Sequence, residues 1–105
     1  KMETLEKKEI LNQLFDFYKP LLTEKQIHYF DLYYHEDYSL QEISELNHVS
    51  RNAVFDQLKK VEEHLFSYEE KLKLYYLQTE REKLIEKILK TNDLKLLEQL
   101  RKLDE

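Results

Sequence analysis

The chain has 105 residues, a length that fits one domain with a single hydrophobic core. It lacks cysteine and glycine, which excludes disulfide frameworks, thiolate zinc sites and the glycine-rich phosphate loops of most nucleotide-dependent enzymes. Charged residues make up 37% of the chain, its formal net charge is -5, and no segment of it is basic.

The first two predicted helices are separated by the only proline. Apolar residues recur at helical spacing over residues 5–18, and Pro20 is expected to end or kink that helix. Thr23 and Gln26 have the spacing of a capping box, which predicts the start of a second helix. We expect the second helix to end in the polar residues 35–37.

The segment 39–64 predicts a helix-turn-helix. Ser39 begins its first helix through another capping-box pattern, and Ser50 is a good N-cap for its second helix. Because glycine is absent from the turn, Asn47 or His48 must adopt the left-handed conformation there. The positions expected to face inward are Leu40, Ile43, Ser44, Leu46, Val49, Val54 and Leu58.

After the motif, apolar residues continue in alternating steps of three and four as far as Thr79. Their period, near 3.5, predicts one long helix or a helical hairpin. The polar residues 90–95 interrupt the pattern, with Thr91 or Asn92 as the cap of a last helix. Residues 69–105 are therefore interpreted as a C-terminal helical extension.

Together these elements predict an all-α fold in one helical domain, residues 1–105. Its centre is a tri-helical helix-turn-helix core, with the topology of a winged helix without strands. No strand pattern competes with this interpretation.

The second helix of the motif presents a candidate recognition face. Arg and Asn side chains can pair with base edges, and a helix that begins at Ser50 can bind a phosphate through its free N–H groups. Lysines on the same helix would contact the phosphate backbone. The alternative is that both motif helices serve only an all-helical core and leave these residues in solvent. The candidate residues are Ser50, Arg51, Asn52, Phe55, Asp56, Lys59 and Lys60.

Charge argues against tight binding of duplex DNA by one copy of the chain. The motif has three cations, Arg51, Lys59 and Lys60, against five carboxylates, and residues 23–38 sum to -3. Phosphate attraction supplies most non-specific affinity, so a monomer should bind duplex weakly at physiological salt. A homodimer formed through the long helix and the C-terminal segment would double the contacts.

The run Leu14 to Tyr75 resembles the YlxM family of small bacterial helix-turn-helix proteins. The motifs that carry the resemblance are "LFDFY", "LLTEKQ", "EDYSLQEIS" and "VSRNAVFDQLKK". In that family the motif is similar to region 4 of sigma factors, and the genes lie beside those of the signal recognition particle. The resemblance implies a regulatory or accessory role in protein targeting, with a recognition face at Ser50, Arg51, Asn52, Phe55, Asp56 and Lys59.

Other candidate sites are weaker. The aromatic run 29–34 with Tyr38 is a stacking platform for single-stranded RNA or, as we favour, a packed core, because no Lys or Arg is interleaved with it. His28 and His35 are seven residues apart, whereas paired ligands are usually four apart, so no metal is expected. No nucleophile arrangement is evident, so we predict neither an enzyme nor a cofactor.

Two hypotheses follow for the partner. The chain is a DNA-binding regulator, or an interaction module that docks on the protein or RNA of the signal recognition particle. The absence of cysteine fits a reducing compartment, so we expect a cytoplasmic protein. No window is apolar enough to span a membrane, and no small-molecule substrate is expected.

Overall fold

The computed structural model describes residues 4–105, and six α-helices follow one another within them. They are α1 (Leu5–Tyr18), α2 (Glu24–Phe30), α3 (Leu40–Asn47), α4 (Arg51–Leu72), α5 (Leu74–Thr91) and α6 (Leu96–Lys102). A short 3-10 turn follows α1, and a π-helical segment, Asp31–His35, continues α2. Residues 4–105 contain no strand, so the predicted all-α fold is confirmed.

Side-chain caps begin the helices of the motif and the helix before it. Thr23 and Gln26 form a capping box at α2, and Ser39 and Glu42 form another at α3, as the spacing predicts. At α4 the Ser50 hydroxyl accepts a hydrogen bond from the Ala53 N–H at 3.0 Å.

The turn of the helix-turn-helix is closed by His48, whose φ is 55°. The Val49 N–H donates to the Ser44 carbonyl at 3.1 Å, the bond that closes a Schellman motif. Of the two residues that the sequence offered for this conformation, Asn47 has another role. Its amide donates to the Ile43 carbonyl at 2.8 Å, and its oxygen lies 3.1 Å from Nε2 of His28.

A hydrophobic cluster joins α2, α3 and the first half of α4 into the tri-helical core. Ser44 is 4% exposed, the small residue that the sequence placed where the motif helices approach. Leu46 is 52% exposed, so the expectation that it faces inward is wrong; it lies in the last turn of α3. The buried members of the cluster are Tyr29, Leu32, Ile43, Val54 and Leu58.

The second half of α4 pairs with α1. The Tyr18 hydroxyl donates to Oε1 of Glu69 at 2.6 Å, and Nζ of Lys7 lies 2.8 Å from Oε1 of Glu62. Val61 is buried in the same part of α4. One helix therefore serves both the motif and the packing of the N-terminal helix.

The chain divides into two compact units. The first unit reaches Lys71, and the second unit is Leu72–Glu105. As predicted, α4 continues past Leu65, but it ends at Leu72, so the apolar pattern that continues to Thr79 does not belong to one helix. The break between α4 and α5 is Lys73, which has a φ of 57° and so interrupts the helical path.

The second unit consists of α5 and α6. Asn92, with a φ of 56°, ends α5 instead of beginning the last helix, and α6 begins only at Leu96. Leu96 is also the one buried residue that the structure describes in this unit. Leu94 lies before this helix and is 70% exposed.

Candidate nucleic-acid interface

The candidate recognition residues occupy the first three turns of α4. Ser50, Arg51, Asn52, Asp56, Lys59 and Lys60 are exposed, and Phe55 is half-buried. The same turns bury Val54 and Leu58 against the tri-helical core. Because these two anchors fix the rotation of the helix, the remaining residues are presented outward in a defined arrangement.

Helical spacing divides the exposed residues into two neighbouring strips, since residues four apart share a face. The first, here called the cleft strip, consists of Arg51, Phe55 and Lys59. The second, here called the open strip, consists of Asn52, Asp56 and Lys60. The cleft strip lines a cavity on the surface of the first unit, and the open strip is not part of that lining.

That cavity, here called the aromatic cleft, has a volume of about 220 Å³. It lies where the π-helical segment and the start of α3 face α4. Besides the cleft strip, the lining residues are Tyr33, Tyr34, Ser39, Leu40, Leu58 and Glu62. Cations, aromatic rings and a hydroxyl are thus gathered around one opening.

A chain of aromatic contacts supports the tyrosines of the cleft from behind. Phe15 and Phe30 stack with ring centroids 4.1 Å apart, and the rings of Phe30 and Tyr34 are 4.4 Å apart. Tyr33 meets Tyr34 edge-on, with centroids 4.9 Å apart and an interplanar angle of 86°. The aromatic run therefore belongs partly to the core, as we favoured, and partly to the cleft.

The cations of the cleft strip are not neutralised within the described chain. No ion pair joins the side chain of Arg51 or Lys59 to any of residues 4–105. Glu62, the one carboxylate of the lining, instead pairs with Lys7 at 2.8 Å. The aromatic cleft is consequently a local cationic site on an acidic protein.

The two histidines considered as metal ligands bind different partners. His28 lies 3.1 Å from Oδ1 of Asn47, whereas His35 lies 2.8 Å from Oδ1 of Asp31 and 2.9 Å from Oδ1 of Asn12. Residues 4–105 hold no group of three side chains arranged to bind a metal ion. None of the described helices has the length and apolar character needed to cross a membrane.

Sequence reasoning missed part of the site. It named the cleft strip and, separately, the aromatic run 29–34, but it did not predict that Tyr33 and Tyr34 would line one cleft with that strip. A capping pattern at Ser39 was visible, yet no pattern indicated that the capped end of α3 would face Arg51. The π-helical segment, which positions the two tyrosines, has no sequence pattern that we recognised.

Comparison with known proteins places the chain among small bacterial proteins. The profile described as "Putative helix-turn-helix protein, YlxM / p13 like" matches residues 5–104. This chain belongs to the YlxM/p13-like helix-turn-helix family. The resemblance noted from its motifs is thereby confirmed, and it extends over the second unit as well.

Individual relatives cover most of this chain. A UPF0122 protein from Oceanobacillus iheyensis is 54% identical over 100 residues, which are 94% of this chain and 95% of the relative. A UPF0122 protein from Bacillus licheniformis is 52% identical over 90 residues, which are 86% of this chain and 84% of the relative. The UPF0122 protein YofM from Lactococcus lactis is 49% identical over 86 residues, 82% and 78% of the two chains.

Proposed function

We propose that this protein is a DNA-binding regulator that places the first turns of α4 in the major groove of a duplex. The observation that carries the proposal is the exposed end of α4, which presents both strips from a buried tri-helical core. A helix-turn-helix reads DNA in this way, with the second helix in the groove and the first helix across the backbone. The proposal includes no catalytic activity and no small-molecule substrate.

Each exposed residue has a role that follows from its chemistry. Arg51 and Asn52 lie in the first turn, where a recognition helix reaches base edges, and both side chains can form paired hydrogen bonds with a base. Lys59 and Lys60 lie two turns further on and would contact phosphates. Asp56 between them would repel the backbone, so the site depends on base contacts more than on charge.

We further propose that the protein acts as a homodimer joined through its second unit. Exposed apolar side chains on α5 and α6 favour this: Leu89 is 74% exposed, Ile85 40% and Leu97 48%. Such surfaces usually mark interfaces, and a two-fold dimer would present two copies of α4. Two recognition helices on one duplex would raise the affinity, although each motif has an excess of carboxylates.

The test is a titration of random and selected duplexes with the intact protein at two salt concentrations. Arg51→Ala should cost roughly 1 to 3 kcal/mol at the selected site and little on random DNA, because base-edge bonds are lost. Lys25→Ala is the matched control, since Lys25 is an exposed cation of the first unit outside the motif. Feeble binding that is alike for all sequences would contradict the proposal.

A second candidate function is supported by charge. Glu36 and Asp37 are adjacent and exposed at the end of the π-helical segment, in a stretch with a net charge of -3. An acidic surface of this kind would dock on a basic partner and speed its association. The family resemblance implies the signal recognition particle as that partner, through its protein component, and a cytoplasmic location would follow.

A pull-down from lysate, with and without nuclease, separates the two candidates. For the docking module, capture should survive nuclease and should be lost when Glu36 and Asp37 are both replaced by lysine. If the protein is a DNA-binding regulator, Arg51→Ala should weaken duplex binding by the same factor whether or not Glu36 and Asp37 are replaced. Capture that survives nuclease, together with feeble and uniform duplex binding, would favour the docking module.

A further inference from the structure

We infer that the aromatic cleft binds one unpaired nucleotide, with its base against Phe55 and Tyr33 and its phosphate on Arg51 and Lys59. This inference goes beyond the proposed reading of duplex DNA. In a duplex the bases are stacked and paired, so none can enter a cavity beside the helix unless it is extruded. The ligand is therefore a free nucleotide or an unpaired residue of a single strand.

The size of the cleft fits a single nucleotide better than a longer ligand. Its volume is about 220 Å³. One water occupies roughly 30 Å³ of liquid, and pockets for drug-sized molecules begin at about 300 Å³. The cleft therefore has room for one ring system and leaves the rest of a bound strand outside.

The apolar part of the lining suits a flat aromatic ring. Tyr33, Tyr34 and Phe55 lie around the opening together with Leu40 and Leu58. Bases stack on such side chains with little dependence on sequence. The contacts between Phe30, Tyr34 and Tyr33, with centroid separations of 4.4 and 4.9 Å, hold the tyrosines in place before a ligand arrives. Less ordering is then needed on binding.

The polar part of the lining suits a phosphate. Arg51 and Lys59 lie one on each side of Phe55 along α4, and neither has an ion-pair partner among residues 4–105. A guanidinium can bind phosphate oxygens through two N–H groups, and a lysine adds a point charge. Ser39 places a hydroxyl in the same lining. An acidic peptide would use the cations but not the aromatic rings beside them.

The test uses the intact protein and labelled single strands of five nucleotides, as DNA and as RNA, followed by fluorescence anisotropy. Phe55→Leu, which keeps an apolar side chain but removes the ring, should weaken strand binding roughly tenfold or more. Lys59→Gln should weaken it by a similar factor and reduce its salt dependence, and should do so more than Lys60→Gln, because Lys60 does not line the cleft. Lys25→Gln, an exposed lysine on α2 away from the cleft, is the matched control and should change nothing.

Competition and NMR complete the test. An unlabelled mononucleotide that displaces the strand at a similar concentration identifies a free nucleotide as the ligand; displacement only by strands identifies an unpaired residue. In the unmodified protein, a mononucleotide or a strand should shift the backbone amide signals of Arg51 and Phe55 and leave those of α6 in place. This measurement does not depend on whether a variant folds.

Three results would overturn the inference: no binding of strand or mononucleotide, binding unaffected by Phe55→Leu, or equal losses from Lys59→Gln and Lys60→Gln. A protein partner lost with Phe55→Leu, in the absence of nucleotide binding, would assign the cleft to protein docking instead. Selective duplex binding that depends on Arg51, without any strand binding, would leave the proposed function standing and remove this inference alone.

Discussion

The two compact units of the chain differ in how they use apolar side chains. All the buried apolar residues that the structure describes lie in the first unit except Leu96. In the second unit the other apolar residues of α5 and α6 are exposed or half-buried, with Leu89 at 74% and Leu97 at 48%. Both units have apolar residues at helical spacing, so periodicity alone does not produce a core.

The difference lies in the number of helices that can surround a side chain. In the first unit α4 is covered by α2 and α3 along one half and by α1 along the other, which leaves Val54, Val61 and Leu65 less than 2% exposed. The second unit has two helices, and a pair of helices covers each apolar stripe from one direction only. We therefore expect the first unit to supply most of the stability and the second unit to need a further surface.

The strongest test of this comparison is the removal of a buried leucine from each unit. Leu65→Ala should lower the free energy of unfolding by roughly 2 to 5 kcal/mol, because it leaves a cavity in a packed core. Leu96→Ala should cost about 1 kcal/mol, since fewer atoms surround the side chain. Urea unfolding followed by circular dichroism measures both changes. Equal losses would mean that the second unit has a core of its own.

The proposed dimer is tested by replacing one leucine with glutamate in each unit, at two positions where the side chains are equally exposed. Leu89→Glu in α5 should weaken self-association by roughly a hundredfold, because an interface would bury the new charge without a partner. Leu5→Glu in α1 is the matched control, since Leu5 is 73% exposed and Leu89 is 74% exposed. Sedimentation equilibrium at micromolar concentration measures the dissociation constant. A native protein that is monomeric there would end the proposal of a dimer through the second unit.

A smaller effect is expected at the left-handed residues that end helices in the two units. His48→Gly should raise the free energy of unfolding by roughly 0.5 to 1 kcal/mol, because glycine adopts this conformation without the Cβ contact that destabilises histidine. Asn92→Gly should change it by less, since asparagine tolerates the conformation better. Thermal unfolding at one protein concentration would show the ranking. A loss of stability in His48→Gly would mean that the histidine ring contributes more than its backbone conformation costs.

Much of the first unit could be predicted because short local sequence patterns mark the residues at which its helices begin. The capping boxes at Thr23 and Ser39 and the cap at Ser50 each depend on residues three positions apart, so no tertiary information is needed. Local sequence also narrowed the left-handed residue of the turn to Asn47 or His48, because the turn contains no glycine. The choice of His48 over Asn47 depends in part on the contact between Asn47 and His28, which only the fold creates.

The features that the sequence did not predict depend on how the elements pack. The π-helical segment Asp31–His35 adds a residue to one turn, and the regular helical period that the sequence analysis assumed does not predict such an insertion. The end of α4 at Leu72 was not predicted, because the apolar pattern continues across Lys73 without a glycine or proline. The cleft strip was predicted to be exposed. Its position opposite Tyr33 and Tyr34 could not be predicted, since these tyrosines lie on another element.

The hydrogen bond between Tyr18 and Glu69 has a consequence for the order in which the first unit assembles. The two residues are 51 positions apart, so their pairing closes a long loop, and closing it costs conformational entropy. The tri-helical core brings together residues much nearer in sequence, from Tyr29 to Leu58. We therefore expect the tri-helical core to form before the second half of α4 packs on α1, and this part of α4 to detach first. Amide hydrogen exchange that is faster in the second half of α4 than in its first half would bear this out. In a partly opened molecule the end of α4 would then be released while the recognition turns keep their shape.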